Sequence, residues 1–172
     1  MRIIAGSRKG HRIEAPPGRA TRPTGDRVRE AAFNLIGPVE GASVLDLYAG
    51  SGALGIEALS RGAEAAVFVE SDSAACRAID RNLEKLRLTG ARVVCRDALR
   101  FLPTERRQYD LVLLDPPYEM TDYSVLARYL PAVLAENGLL VVESDARHEP
   151  ELPLELRTSR RYGSARVTLF EH

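Results

Sequence analysis

The feature that most constrains this chain is an alternation of short apolar segments and helical segments, which begins at residue 43. Strands are predicted at 43–47, 66–70, 92–95, 110–114 and 139–143. Helical segments are predicted between them, at 53–61, 72–88, 98–102 and 122–134. Short strands separated by helices favour right-handed crossovers and a parallel sheet that helices cover on both faces. The pattern therefore predicts an α/β fold with a mostly parallel sheet.

Both ends of the chain depart from this alternation. At the start, two short strand candidates flank the turn-rich segment 6–11, and a helix follows with Val28, Ala32 and Leu35 on one face. At the end, the sequence predicts an antiparallel hairpin that turns at Gly163. We therefore divide the chain into an N-terminal hairpin-and-helix extension, 1–40, and a sheet domain, 41–172.

A glycine-rich turn follows the first predicted strand of the sheet. Gly50 and Gly52 allow the backbone to approach a ligand closely, and Asp46 precedes them on the strand. A carboxylate at that point repels a pyrophosphate and attracts a cationic amino-acid group. The candidate residues of this turn for binding a cofactor are Asp46, Ala49, Gly50, Ser51 and Gly52.

Acidic residues also end the next two predicted strands. Glu70 lies 20 residues after Gly50, where a carboxylate accepts hydrogen bonds from ribose hydroxyls. Asp97, followed by Ala98, is placed to accept from an adenine amino group, although an acid there also serves as a helix N-cap. An open α/β sheet binds ligands beyond the carboxyl ends of its strands. A nucleoside with an amino-acid tail, S-adenosylmethionine, matches this order of groups.

The fourth predicted strand ends in Asp115-Pro116-Pro117-Tyr118. The residue before a proline is held extended, so a carboxylate and backbone carbonyls are presented beside an aromatic ring. Such a set offers acceptors for the two N–H bonds of a flat amino group and a face on which its heterocycle stacks. The four residues therefore predict catalysis on an exocyclic amine of a nucleobase, with a strand followed by a simple turn as the alternative.

Positive charge is concentrated at the beginning of the chain. The net charge is zero, yet residues 1–29 hold eight Arg or Lys residues against two acids. This asymmetry favours contact with a polyanion over a merely solvated arm. The candidate phosphate contacts are Arg8, Lys9, Arg12, Arg19 and Arg22; Arg27 and Arg29 are alternatives, one of which is expected to anchor the helix to the core.

Composition limits the remaining possibilities. A chain of 172 residues with 45% hydrophobic residues fits one globular unit, and no apolar run reaches the roughly 18 residues that span a bilayer. Cys76 and Cys95 form no metal motif and are expected to be small buried thiols in a reducing compartment. We therefore expect a cytoplasmic protein, a monomer, without a metal or a membrane partner.

The ordered motifs resemble those of class I S-adenosylmethionine-dependent methyltransferases. The match runs over about 43–143, through the glycine turn, Glu70, Asp97 and the Asp-Pro-Pro-Tyr tetrapeptide. The resemblance implies a Rossmann-like sheet of seven strands with an antiparallel C-terminal hairpin. In that superfamily the tetrapeptide is characteristic of methylation of amino groups on bases.

A narrower resemblance covers nearly the whole chain. The segments 2–6, 22–30, 33–34 and 47–61 are similar to the bacterial small-subunit (16S) rRNA guanine-N2 methyltransferase family. This implies methylation of one guanine amino group in 16S rRNA, within an assembled small-subunit particle. It also implies that the N-terminal extension contacts RNA and closes over the cofactor.

Three alternatives remain open from the residues alone. A DNA methyltransferase acting on an adenine or cytosine amino group would use the same tetrapeptide. A non-catalytic S-adenosylmethionine-binding module that recognises RNA is disfavoured by the intact tetrapeptide. A nicotinamide oxidoreductase shares the glycine turn but not Asp46 before it.

Overall fold

The computed structural model describes residues 1–16 and 25–172. The helices are α1 (Gly25–Ile36), α2 (Ala53–Ser60), α3 (Ser73–Lys85), α4 (Ala98–Phe101), which a short 3-10 turn (Leu102–Thr104) extends, and α5 (Ser124–Val133). The strands are β1 (Ser43–Leu47), β2 (Ala65–Glu70), β3 (Ala91–Cys95), β4 (Tyr109–Leu114), β5 (Leu134–Asp145), β6 (Glu155–Tyr162) and β7 (Ala165–Glu171). No helix in these ranges is long and apolar enough to cross a membrane.

The seven strands form one sheet in the order β3-β2-β1-β4-β5-β7-β6. Strands β1 to β5 are parallel, and β7 joins β5 and β6 in antiparallel pairs. The order reverses between β1 and β4, which places the switch point of the sheet beside the glycine turn. The predicted α/β class, the seven strands and the antiparallel C-terminal hairpin are confirmed.

Each face of the sheet packs on its own apolar core. One core joins α1, α2 and α3 to the sheet through Val28, Ile56 and Ile79. The other joins α4 and α5 through Phe101 and Leu126. Burial on both faces explains why β1 and β4 read as nearly continuous apolar runs.

The N-terminal extension packs on the first of these cores. Its predicted hairpin is reduced to a single antiparallel bridge between Arg2 and Arg12. Ile3 and Ile13 are buried in the same cluster as Phe33 of α1. The extension therefore shares its core with the sheet, and the division at residue 40 stays a prediction.

Two local expectations were wrong. Strand β5 begins at Leu134, five residues earlier than expected, because Leu134 pairs with Tyr109 ahead of a register shift. Cys95 is exposed because β3 is an edge strand; Cys76 is buried, as expected. The two thiols are free, with 2.6 Å between their Sγ atoms.

Candidate active site

A cavity of about 600 Å³ opens at the carboxyl ends of the parallel strands. The turns after β1, β2 and β4 contribute to it, as do the end of β5, the start of α1 and the N-terminal extension. Its lining includes Met1, Pro16, Arg29, Asp46, Tyr48, Ala49, Gly50, Ser51, Glu70, Asp115, Pro116, Pro117, Tyr118 and Glu143. Most of the sequence-predicted cofactor and catalytic residues are thus brought together in one space.

The glycine turn has the backbone conformation that its composition predicts. Gly50 and Gly52 have φ of 59° and 81°, in the left-handed region where side chains are strained. Tyr48 shares this conformation at φ 58°, and its half-buried ring lines the cavity. The turn therefore brings the backbone of Gly50 to the cavity, together with its neighbours Tyr48 and Ser51.

Asp46 lines the cavity, and its carboxylate is buried with only one oxygen hydrogen-bonded within the described residues. Its Oδ2 accepts a hydrogen bond from Gly55 N at 2.9 Å. Its Oδ1 has no hydrogen-bond partner among residues 1–16 and 25–172. Burial raises the pKa of Asp46 to about 8, partly opposed by the Gly55 bond. A cationic group in the cavity would restore the ionised form.

Gly55 explains how α2 sits so near this carboxylate. A Cβ atom there would lie 2.4 Å from the ring of Phe68 and 3.0 Å from Asp46 Oδ2. Only glycine allows the helix to approach the sheet at this distance.

Glu70 ties the turn after β1 to the turn after β2. Its Oε1 accepts from Gly50 N at 2.9 Å, and its Oε2 accepts from Asp72 N at 3.2 Å. The side chain is buried yet lines the cavity. This position suits the predicted contact with ribose hydroxyls, and the bond to Gly50 also holds the glycine turn in place.

Asp97 is placed differently. Its Oδ1 accepts from Leu99 N at 2.8 Å, so it caps α4. Asp97 and Ala98 do not contribute to the cavity lining in the part of the chain that the structure describes. The N-cap alternative is therefore observed, and a contact of either residue with adenine stays a prediction.

The tetrapeptide after β4 forms one wall of the cavity. Asp115 N bonds to Leu47 O at 3.4 Å, and Met120 N bonds to Pro117 O at 2.9 Å, which closes a turn. Tyr118 is half-buried, and its hydroxyl lies 3.4 Å from Glu143 Oε1. The carboxylate, the two prolines and the ring face the same space as Asp46 and Glu70.

Sequence reasoning missed Glu143. This acid ends the apolar run of β5, as Glu70 ends that of β2, and that shared pattern was the available signal. Since Leu114 pairs with Val142, Glu143 lies level with Asp115 on the neighbouring strand. Asp115 and Glu143 therefore lie at corresponding positions of adjacent strands, and both line the cavity.

A buried ion cluster fixes the N-terminal extension against the cavity. Glu57 of α2 accepts from Ile4 N at 2.9 Å and Ala5 N at 3.0 Å. Its carboxylate also pairs with Arg61 at 2.9 Å and Arg29 at 3.6 Å. Arg29 is thus the anchoring arginine that was expected at this helix, and it also lines the cavity.

The predicted phosphate contacts lie away from the cavity where they are described. Arg8 donates to Leu86 O at 2.5 Å and Arg87 O at 3.2 Å, at the end of α3. Lys9 and Arg12 are exposed on the same hairpin. Arg19 and Arg22 lie outside the described residues. Contact of these five side chains with RNA stays a prediction.

The comparisons with known proteins agree with this architecture. A family model described as conserved hypothetical protein 95 matches residues 1–171. "Putative rRNA methyltransferase YlbH" of Bacillus subtilis is 41% identical over 181 residues, covering 99% of this chain and 98% of the relative. "Ribosomal RNA small subunit methyltransferase D" of Escherichia coli is 38% identical over 151 residues, covering 86% of this chain and 76% of the relative.

Solved structures show the same fold. A putative methyltransferase, yhhF, from Escherichia coli has a TM-score of 0.89 at 36% identity, covering all of this chain and 97% of its own. A T. thermophilus 16S rRNA N2 methyltransferase in complex with AdoMet and guanosine has a TM-score of 0.68 at 25% identity. That match covers 90% of this chain and 44% of the other. The sheet is therefore that of a class I methyltransferase.

Proposed function

The chain belongs to the family described as conserved hypothetical protein 95, and we propose that it methylates the exocyclic N2 amino group of a guanine in 16S rRNA. One named relative is a putative rRNA methyltransferase and another is a small-subunit rRNA methyltransferase, which supports methyl transfer to ribosomal RNA by this chain. The choice of guanine and of its N2 atom is our own inference. It rests on one observation: the tetrapeptide and Glu143 share a cavity with Asp46 and Glu70.

The cofactor is S-adenosylmethionine, which supplies an electrophilic methyl group when bound. The residues present fit it. Asp46 offers a buried, unsatisfied oxygen to a cationic tail, the glycine turn offers backbone, and Glu70 offers a carboxylate to a ribose. A volume of about 600 Å³ falls within the range of small-molecule sites.

Asp115 and Pro116 would hold the amino group that receives the methyl. We assign one N–H bond to the Asp115 carboxylate and the other to the Pro116 carbonyl. Acceptors at these two positions orient the nitrogen lone pair and stabilise the positive charge that grows on nitrogen during transfer. Alignment of the amine is then the main contribution of the chain to the rate.

Glu143 supports guanine over the other bases with an amino group. Guanine presents two adjacent donors, N1–H and N2–H₂, which match two neighbouring carboxylates. Adenine and cytosine present an unprotonated ring nitrogen beside their amino group, and a carboxylate would repel it. The pair Asp115 and Glu143 therefore favours a guanine substrate over the adenine and cytosine substrates of DNA amino-methyltransferases.

Tyr118 provides the face on which the base rests. A base inside a helix cannot reach the cavity, so it must leave its stack, at a cost of a few kcal/mol. Stacking on an aromatic ring recovers about 1–3 kcal/mol. The half-buried ring of Tyr118, next to Asp115, is positioned for this contact.

Labelled methyl transfer tests the proposal. Protein is incubated with methyl-labelled S-adenosylmethionine and with small ribosomal particles that lack the modification, protein-free 16S rRNA, or DNA. We expect label in the particle, or in both RNA substrates, and none in DNA. Label in DNA with none in RNA would contradict the proposal, as would cofactor binding without transfer to any of the three.

A further inference from the structure

Strand β6 is the edge strand of the sheet, beyond β7, and it carries exposed positive charge. Arg157, Arg160 and Arg161 are exposed, and none of them forms an ion pair with a residue in 1–16 or 25–172. We propose that Arg160 and Arg161 bind phosphates of the RNA next to the target nucleotide. The inference rests on the proposed function and extends it to a second contact surface.

The strand register fixes the position of Arg160 relative to the catalytic residues. Glu143 pairs with Val167 of β7, and Val167 pairs with Arg160 of β6. Directly paired residues lie on the same face of a sheet, so Arg160 lies on the face of Glu143. Neighbouring strands are about 4.8 Å apart, which places the Arg160 backbone about 14 Å from that of Asp115, three strands away.

Arg161 occupies the next position toward the turn of the hairpin, and its side chain lies on the opposite face of β6 from that of Arg160, at the exposed edge of the sheet. It pairs with Arg166, which pairs with Ser144 just beyond Glu143. The β6–β7 turn thus lies at the carboxyl end of β5, beside the cavity mouth. When the target base is held at Asp115, the RNA backbone attached to it passes this turn if it runs toward β6.

The neighbouring arginine of the hairpin has a different role. Arg166 donates to Ser159 Oγ at 2.9 Å and to Ala146 O at 3.2 Å, and it lies 3.6 Å from Glu149. These bonds hold β6 and the segment after β5 together. Arg166 therefore braces the hairpin, whereas Arg157, Arg160 and Arg161 form no ion pair with the described part of the chain; Arg160 and Arg161 are the two of these nearest the β6–β7 turn.

The N-terminal hairpin tip is less well placed for a phosphate near the target. Gly6, Ser7 and Arg8 pack against Ser60 at the end of α2 and Leu86 at the end of α3. Helices between parallel strands run back from the carboxyl edge of the sheet. The eight residues of α2 span about 12 Å, so the tip lies toward the opposite edge from the cavity.

The alternative is that these arginines only protect the edge strand from pairing with another chain. Charged residues on an edge strand hinder pairing with another chain. That role requires only charge, whereas phosphate binding makes the affinity for RNA depend on salt. The slope of log K against log salt changes by roughly 0.7–0.9 for each phosphate that the protein no longer neutralises.

The test compares two pairs of exposed arginines. One pair lies near the β6–β7 turn, on the side of the carboxyl ends of the parallel strands, and the other lies at the amino end of β4. Arg160→Gln/Arg161→Gln removes the proposed contacts. Arg106→Gln/Arg107→Gln removes the same charge just before β4, at its amino end. Binding of protein-free 16S rRNA is measured at several salt concentrations, and cofactor affinity is measured separately.

We expect the β6 pair to weaken RNA binding by about tenfold or more and to reduce the salt slope by roughly one to two. The control pair should change the slope by less than half as much, and cofactor affinity should stay unchanged in both. Equal slopes for the two pairs would overturn the inference while leaving the proposed function intact. Failure of the wild-type protein to methylate any RNA would instead overturn the proposed function, whatever the slopes.

Discussion

Asp46 Oδ2 accepts a hydrogen bond from Gly55 N at 2.9 Å, whereas Asp46 Oδ1 is buried and has no hydrogen-bond partner among the described residues. The bond joins the end of β1 to the first turn of α2 across the glycine turn. The same carboxylate therefore braces the turn and, in the proposed function, provides the charge that meets the cofactor. Because it is buried, its ionisation depends on what the cavity holds.

Cofactor affinity should depend on pH through Asp46. The pKa of this acid is raised to about 8, and a cationic ligand binds only its ionised form well. Affinity should therefore rise with pH up to about 8, by at most about tenfold per unit, and level off above. Calorimetry in buffers of different ionisation enthalpy should show proton release on binding below pH 8.

Asp46→Asn provides the control for that titration. We expect weaker cofactor binding without the pH dependence. A raised pKa in the folded state means that wild-type stability falls as pH rises from about 4 through 8. The variant should therefore lose less thermal stability than wild type over this range. An unchanged pH dependence of affinity in the variant would show that another group titrates.

Glu143→Ala should impair recognition of the base. We expect kcat/KM for the RNA substrate to fall by about 5–150-fold, which corresponds to about 1–3 kcal/mol for one good base contact. Cofactor affinity should remain within about tenfold. Glu136→Ala, an exposed acid on the same strand, is the matched control and should resemble wild type. Equal kcat/KM values for Glu143→Ala and Glu136→Ala would show that Glu143 does not contact the base.

Substitutions of Tyr118 separate its ring from its hydroxyl. Tyr118→Phe keeps the stacking face and removes the hydroxyl, with its 3.4 Å interaction with Glu143, so kcat/KM should fall less than about fivefold. Tyr118→Ala should lose the stacking energy, about 1–3 kcal/mol. Steady-state kinetics on the RNA substrate measures both variants. A Phe variant as impaired as the Ala variant would assign the essential role to the hydroxyl.

Glu57→Ala should loosen the N-terminal extension. The buried carboxylate holds Ile4 N and Ala5 N and pairs with Arg29 and Arg61. Removing one partner of a buried ion cluster costs about 3–5 kcal/mol. Denaturant unfolding measures this loss, and hydrogen exchange at Ile4 and Ala5 should accelerate. Glu84→Ala, exposed on α3, should change stability by less than about 0.5 kcal/mol.

The sheet could be predicted from local sequence wherever strands are buried on both faces. The predicted bounds of β1 are those of the structure, and β2 and β4 each begin one residue earlier than predicted. The ends of all three strands are correct, because each apolar run stops where polar or turn-forming residues follow. The start of β5 could not be predicted in this way. Its first residues pair with Tyr109, and Asn137-Gly138 within it has the composition of a turn.

The cavity residues that follow β1, β2 and β4, with 115–118 among them, could also be predicted, because each group comes directly after a buried strand. Glu143 and Glu57 could not. Glu143 can be recognised as a site residue only once the structure shows it level with Asp115 on an adjacent strand. The role of Glu57 depends on its contacts with a segment more than 50 residues away in the sequence. The sequence of the basic hairpin likewise does not reveal that its tip lies toward the far edge of the sheet.

The most direct test of the central claim is methyl transfer by Asp115→Ala and wild-type protein, with identification of the labelled nucleoside. The substrate is a small ribosomal particle that lacks the modification. Wild type should yield N2-methylguanosine. The variant lacks the side-chain acceptor, and it should bind S-adenosylmethionine within about tenfold of wild type and yield no product above background. Near-normal transfer by Asp115→Ala, or label on any nucleoside other than guanosine, would contradict the account.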